Sequence, residues 1–145
     1  MEVLNLKTER EGFMIVGIDP GRTGGLVLMD GFKPVRWWRG GQLRAKGDTE
    51  LSDRLALDAL RECMAIDGGV GLVVLEKQWA GWRGGKGQNQ GVKSQAQIVG
   101  EYRAWRAMCV ALGLRVMTPA PVTWQAVLKG AGGKGKERAI RLVQQ

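Results

Sequence analysis

Two stretches of strand length and continuous apolar character dominate the chain: residues 13–18 (FMIVGI) and 70–75 (VGLVVL), closed by carboxylates at Asp19 and Glu76. A run without polar alternation reads as a strand buried on both faces, the pattern of parallel sheets in α/β proteins. What separates the two runs fixes how they can pair. Gly24-Gly25 leads into a short apolar run at 26–29, Asp30-Gly31 turns the chain, and a third strand is expected at 34–38, so the first three strands form an antiparallel meander. Residues 49–65 place Leu51, Leu55, Leu57, Leu60 and Met64 near helical spacing behind a cap at Asp48 or Thr49, and Gly68-Gly69 ends that helix. A strand reached through a crossover helix runs parallel to its predecessor.

After Glu76 the segment 79–93 is too rich in glycine and polar groups for regular structure and reads as a basic loop. A long helix is expected at 94–112, stopped by Gly113, then a short strand at 114–117 and punctuation at Pro119 and Pro121. A short helix near 122–128, a Gly/Lys loop and the start of a helix at 137–143 complete the order. The first 12 residues read as a flexible extension and 13–145 as one domain. At 145 residues and 44% hydrophobic content the chain builds a single core. The expected architecture is α/β, a mixed sheet with helices on its faces.

The chain contains no histidine, which excludes a Ser-His-Asp triad, His-ligated zinc and an imidazole base. Cys63 and Cys109 stand apart in apolar helical patterns and read as small core side chains. Lys and Arg number 22 against 14 Asp and Glu, a net +8, so a polyanionic partner is favoured. The charged start lacks an apolar signal region and no run reaches the roughly 18 to 20 apolar residues of a membrane span. A soluble, cytoplasmic protein is expected, with no membrane partner.

Chemistry must then rest on carboxylates, lysines or metal ions. If the strands ending at Asp19 and Glu76 are neighbours, both carboxylates emerge at one sheet edge, where open α/β sheets place their ligand sites. Two such groups repel unless a divalent magnesium or manganese ion holds both ionised, and a pair of such ions about 3.5 to 4 Å apart serves phosphodiester hydrolysis. The plain alternative makes Asp19 a turn residue and Glu76 a solvated strand end. Arg83, Lys86 and Lys93, interleaved with Trp79, Trp82 and five glycines, combine cations for phosphates with flat surfaces for unpaired bases. A second basic cluster comprises Lys129, Lys134, Lys136, Arg138 and Arg141. Neither cluster carries a base-reading pattern, so recognition by shape is expected. Trp105 and Trp124 read as packing residues; Trp79 and Trp82 fit either packing or stacking.

Gly17-Ile18-Asp19-Pro20-Gly21 followed by Gly24-Gly25-Leu26 resembles the first motif of the RuvC-type Holliday-junction resolvases, in particular their phage-encoded branch. Leu75-Glu76-Lys77 resembles the second, and 119–124 (PAPVTW) and 134–139 (KGKERA) are similar to later segments of that branch. The resemblance implies an RNase H-like fold, metal-dependent endonucleolytic cleavage of four-way and branched DNA, and a homodimer. It makes Asp19 and Glu76 metal ligands for magnesium or manganese, two ions per site, and brings Lys136, or alternatively Lys134, near the scissile phosphate. The family also carries two further carboxylates, three residues apart on a final helix, whereas this sequence reaches Gln145 before such a motif. Either the chain is a truncated product or another acid substitutes, with Glu101 and Asp30 as candidates; their plain readings are a helix-surface charge and a turn residue.

The stripe Ile98, Tyr102, Trp105 and Met108 on the long helix suits either a two-fold interface or the core. Three rival functions remain at this level. The Gly-Ile-Asp-Pro-Gly-Arg-Thr-Gly stretch also looks like the first phosphate loop of the sugar-kinase and actin-like ATPases, but those need two such domains to close over a nucleotide, so no nucleotide cofactor is expected. The others are a non-catalytic branched-DNA-binding module and an RNase H-type nuclease for RNA-DNA hybrids.

Overall fold

The computed structural model describes residues 14–78 and 92–120, with side chains from 95 onward in the second segment. Five strands form one sheet in the order β3-β2-β1-β4-β5: β1 is Met14–Asp19, β2 Gly25–Asp30, β3 Lys33–Arg39, β4 Val70–Leu75 and β5 Val116–Met117. The meander is antiparallel across β1, β2 and β3, while β4 pairs parallel to β1 and β5 parallel to β4. This is the expected mixed sheet. Helix α1 (Asp53–Met64) makes the crossover from β3 to β4, and α2 (Val92–Ala111) that from β4 to β5.

One sheet face carries the core. Val16 and Ile18 of β1, Leu26 and Leu28 of β2, and Val73 and Leu75 of β4 are all buried there, with Ala56, Ala59, Leu60 and Cys63 of α1 and Trp105 and Cys109 of α2 packed against them. Because side chains alternate along a strand, the opposite face carries Gly17, Asp19, Gly25, Val27, Trp37, Arg39 and Val74, residues that share rows across the ladders.

One expectation needs correction. Residues 49–52 are not helical: α1 begins at Asp53 and its cap is Ser52, whose hydroxyl accepts from the Leu55 N–H at 3.3 Å. Of the expected series Leu60 is fully buried, but the rest of the buried stripe is Ala56, Ala59 and Cys63, small residues that let the helix approach the sheet closely; Leu55 and Leu57 are only partly buried and Met64 is exposed. The stripe on α2 serves the core: Trp105 is 1% exposed, and Tyr102 and Met108 pack against the same cluster. A two-fold contact through Trp105 would require opening that core.

Both cysteines are free and buried. Burial pushes each thiol up from 9.0 to about 11, with the Glu62 carboxylate adding to the effect at Cys63. The folded protein therefore holds these protons to higher pH than the unfolded chain, and stability falls as pH rises from about 9 to about 11. Alkylation with iodoacetamide at pH 8, followed by mass spectrometry, should leave both thiols unmodified in the native protein and label both in denaturant.

Candidate functional site

Asp19 is the last residue of β1. Glu76 follows β4 directly and prolongs its ladder, its N–H donating to the Ile18 carbonyl at 3.0 Å. Parallel pairing in the register Ile18 with Leu75 brings both carboxylates to the same end of the sheet, and alternation brings them to the same face. The two side chains lie within hydrogen-bonding reach of each other. Crowding at the strand ends removes water from Asp19 and raises its carboxyl above 3.8, while the hydrogen bond with Glu76 acts in the opposite sense.

Glycines make room for this pair. A Cβ at Gly24 would run into the Asp19 carbonyl and lie 3.1 Å from its carboxyl carbon, and one at Gly25 would run into the Trp38 carbonyl of β3. An open cleft of about 490 Å³ covers the carboxylates, Gly17, Gly25, Val74 and Arg39, with Pro119 at its rim. The cleft of about 510 Å³ between α2 and the residues preceding α1 lies away from the carboxylate pair.

The loop after Asp19 is pinned from within the protein. Gly21, at φ 119°, donates its N–H to Oε2 of Glu101 at 2.9 Å, and Oε1 of Glu101 pairs with Arg44. Arg44 also donates to the carbonyls of Thr49 and Gly40 at 2.9 and 2.8 Å. Both side chains are nearly inaccessible. Glu101 is thus neither a helix-surface charge nor a substitute ligand: it lies 6% exposed beneath the loop, engaged with Gly21 and Arg44. Sequence periodicity could not separate a buried glutamate from an exposed one, because its partner Arg44 lies 57 residues away. Asp30 is excluded as a substitute by topology: β2 runs antiparallel to β1, so Asp30, paired with Lys33, stands at the opposite end of the sheet.

Among the described residues no group of three or more His, Cys, Asp or Glu side chains could hold a metal ion. The oxygen pair at Asp19 and Glu76 nonetheless suits a hard divalent cation: two carboxylates meet at one end and on one face of the sheet, in the same cleft. Trp79, Trp82, Arg83 and Lys86, the side chain of Lys93, and Lys129, Lys134, Lys136 and Arg138 lie outside the described residues.

Among solved structures, a chain of T. thermophilus RuvC in complex with Holliday junction substrate superposes with a TM-score of 0.54 at 18% sequence identity, covering 90% of this chain and 76% of that one. The chain has the RNase H-like fold of RuvC. No protein-family model matches the sequence, and no curated protein matches it.

Two outcomes follow from this geometry. Without divalent ions, Asp19 is more readily protonated in the fold than in the unfolded chain, so its ionisation costs stability as pH rises above the ordinary carboxylate range. Asp19→Asn should therefore raise the neutral-pH melting temperature in EDTA, the difference narrowing as pH falls through the ordinary carboxylate range and both states become protonated; calorimetry across pH measures it. Arg44→Met, which strands a buried carboxylate, should cost about 3–5 kcal/mol in urea unfolding, and Arg44→Met with Glu101→Leu should cost less than the two single changes added together.

Proposed function

We propose that the chain is a divalent-metal-dependent DNA endonuclease that cuts four-way and branched junctions, a relative of the phage branch of the RuvC-type resolvases acting in the cytoplasm. The observation that carries this reading is the pair of carboxylates that close neighbouring parallel strands at one end and on one face of a RuvC-like sheet. Asp19 and Glu76 would hold the magnesium or manganese ions, two per site. Such ions, when bound, supply activation of the attacking water and stabilisation of the leaving oxygen. A cation held there would favour the ionised form of both carboxylates, so its binding would strengthen as pH rises through the carboxylate range.

Lys136, or Lys134, would neutralise charge at the scissile phosphate. Trp79, Trp82, Arg83, Lys86 and Lys93 would take one DNA arm, and Lys129, Lys134 and Arg138 another, in keeping with the net +8 of the chain. The RuvC chain with this fold is bound to a Holliday junction, which favours branched DNA over an RNA-DNA hybrid. Two symmetric cuts would need two sites, hence a homodimer formed through a surface other than the Trp105 face of α2.

The deciding experiment incubates the chain with a labelled four-way junction beside duplex, single-strand and RNA-DNA hybrid controls, with and without magnesium or manganese. Symmetric, metal-dependent nicks in the junction alone are expected. Asp19→Asn and Glu76→Gln should each lower cleavage by more than about a hundredfold while junction binding persists. Binding without any cleavage would identify an architectural module instead, and preferred cleavage of the hybrid would identify an RNase H-type enzyme.

A further inference from the structure

We propose that Arg39 and Trp37 on β3 form a contact site for the DNA strand being cut, Arg39 taking a backbone phosphate beside the carboxylate pair and Trp37 a neighbouring sugar or unpaired base. This rests on the nuclease reading above and extends it to residues on a different part of the sheet.

Register carries the argument. Asp19 pairs across the ladder with Gly25, and Gly25 with Arg39, so Glu76, Asp19, Gly25 and Arg39 form one transverse row on one face. Two strand spacings put the Arg39 and Asp19 backbones about 10 Å apart. Gly25 offers no side chain in between, so the floor from carboxylate to guanidinium is bare backbone, and all four residues line the same cleft. The next row along is Gly17, Val27 and Trp37. Two residues apart on one strand, Trp37 and Arg39 face the same way at a spacing of about 6.6 Å. A cation beside an aromatic plane is the combination that holds unpaired nucleic-acid strands.

The neighbouring arginines show that this one differs. Arg36 pairs with Glu62 at 3.2 Å and stacks over Trp38 at 4.8 Å, joining β3 to α1. Arg44 is buried with Glu101. Arg39 is exposed, and among the described residues no carboxylate or carbonyl holds its guanidinium; only its backbone N–H is engaged, by Gln42 at 2.7 Å. The adjacent tryptophans divide in the same way: Trp38 is half-buried against the core, whereas Trp37 is 57% exposed beside the cleft. An unpaired cation next to anionic ligands that a divalent ion would neutralise is complementary to a phosphodiester.

The test is anisotropy of a labelled four-way junction, without divalent ions, across a salt series, with every variant placed on the Asp19→Asn background. Arg39→Gln should weaken binding about tenfold and lower the slope of log affinity against log salt by about one. Arg39→Lys should restore the slope. Trp37→Ala should weaken binding about tenfold with the slope unchanged. Lys33→Gln removes the same charge from the far end of the same strand and should stay within about twofold of the parent. In metal-activated cleavage by the otherwise unaltered chain, Arg39→Gln should raise KM more than it lowers kcat.

If the parent binds and cleaves junctions but Arg39→Gln and Trp37→Ala behave like Lys33→Gln, the β3 site is overturned and the nuclease reading stands. If the parent binds no DNA, the nuclease reading falls and takes this proposal with it. Conversion of a dimer to a monomer by Trp37→Ala, seen in sedimentation, would make Trp37 a subunit contact and would also overturn the proposal.

Discussion

The parallel pairing of β1 with β4 is the constraint on which the rest of the molecule depends. Once Ile18 lies opposite Leu75, the residue that closes each strand appears at the same end and on the same face, and two carboxylates meet that are 57 positions apart in the chain. The pairing is secured from both sides. The core-facing residues Val16, Ile18, Val73 and Leu75 are fully or nearly fully buried against two helices, and a slip of one residue would turn that apolar set to the other face. The energy that fixes the register is thus hydrophobic, gained on one face of the sheet, while its consequence is electrostatic and falls on the other. The raised carboxyl of Asp19, desolvated at the strand ends, is the cost of that geometry.

A second constraint acts on the loop that leaves Asp19. Pro20 and Gly21 turn the chain away from the sheet, and a turn of this kind would ordinarily leave its amide to solvent. Here Glu101 of α2 accepts from the Gly21 N–H and pairs with Arg44, whose guanidinium is itself held by the carbonyls of Thr49 and Gly40. Buried ion pairs add little net stability against an apolar alternative, but breaking one is costly, so their effect is to select one arrangement. That arrangement ties the carboxylate strand, the turn after β3 and the crossover helix α2 together beneath the cleft. Glu101 therefore bears on the site through backbone placement, not as a ligand.

The strands were legible in the sequence because an apolar run without polar interruption has few alternatives, and Asp19 and Glu76 could be singled out because each ends such a run. The crossover helix was legible in kind and misplaced at its start: leucine spacing extended the pattern back to Thr49, whereas the cap is made by Ser52 and the buried stripe by alanines, which periodicity weighs lightly. Glu101 was noticed only as a candidate ligand, and its pairing with Arg44 was invisible because a buried ion pair is defined by tertiary proximity alone. Trp37 and Arg39 were passed over for a related reason. Their importance lies in which residues stand opposite them, Val27 and Gly25, and cross-strand register is set only when the meander is assembled. The basic loop and the cluster at 129–141 drew attention through local composition; residues 79–91 of the loop and the whole cluster lie outside the described residues, and 92–93 already belong to α2.

A net charge of +8 sits awkwardly with an active centre made of carboxylates, and the layout of the sheet resolves the conflict. If positive side chains crowded the carboxylate pair they would neutralise it and compete with a divalent ion. If they stood far away, a phosphodiester would be repelled by the acids with nothing nearby to hold it. The row Asp19, Gly25, Arg39 takes the intermediate course, with one empty strand position between anion and cation. Glycine at that position has a structural cause independent of any ligand, since a Cβ would strike the β3 backbone. The close approach of β2 to β3 and the bare floor of the cleft thus arise from one residue, so a substitution at Gly25 would alter packing and substrate access together.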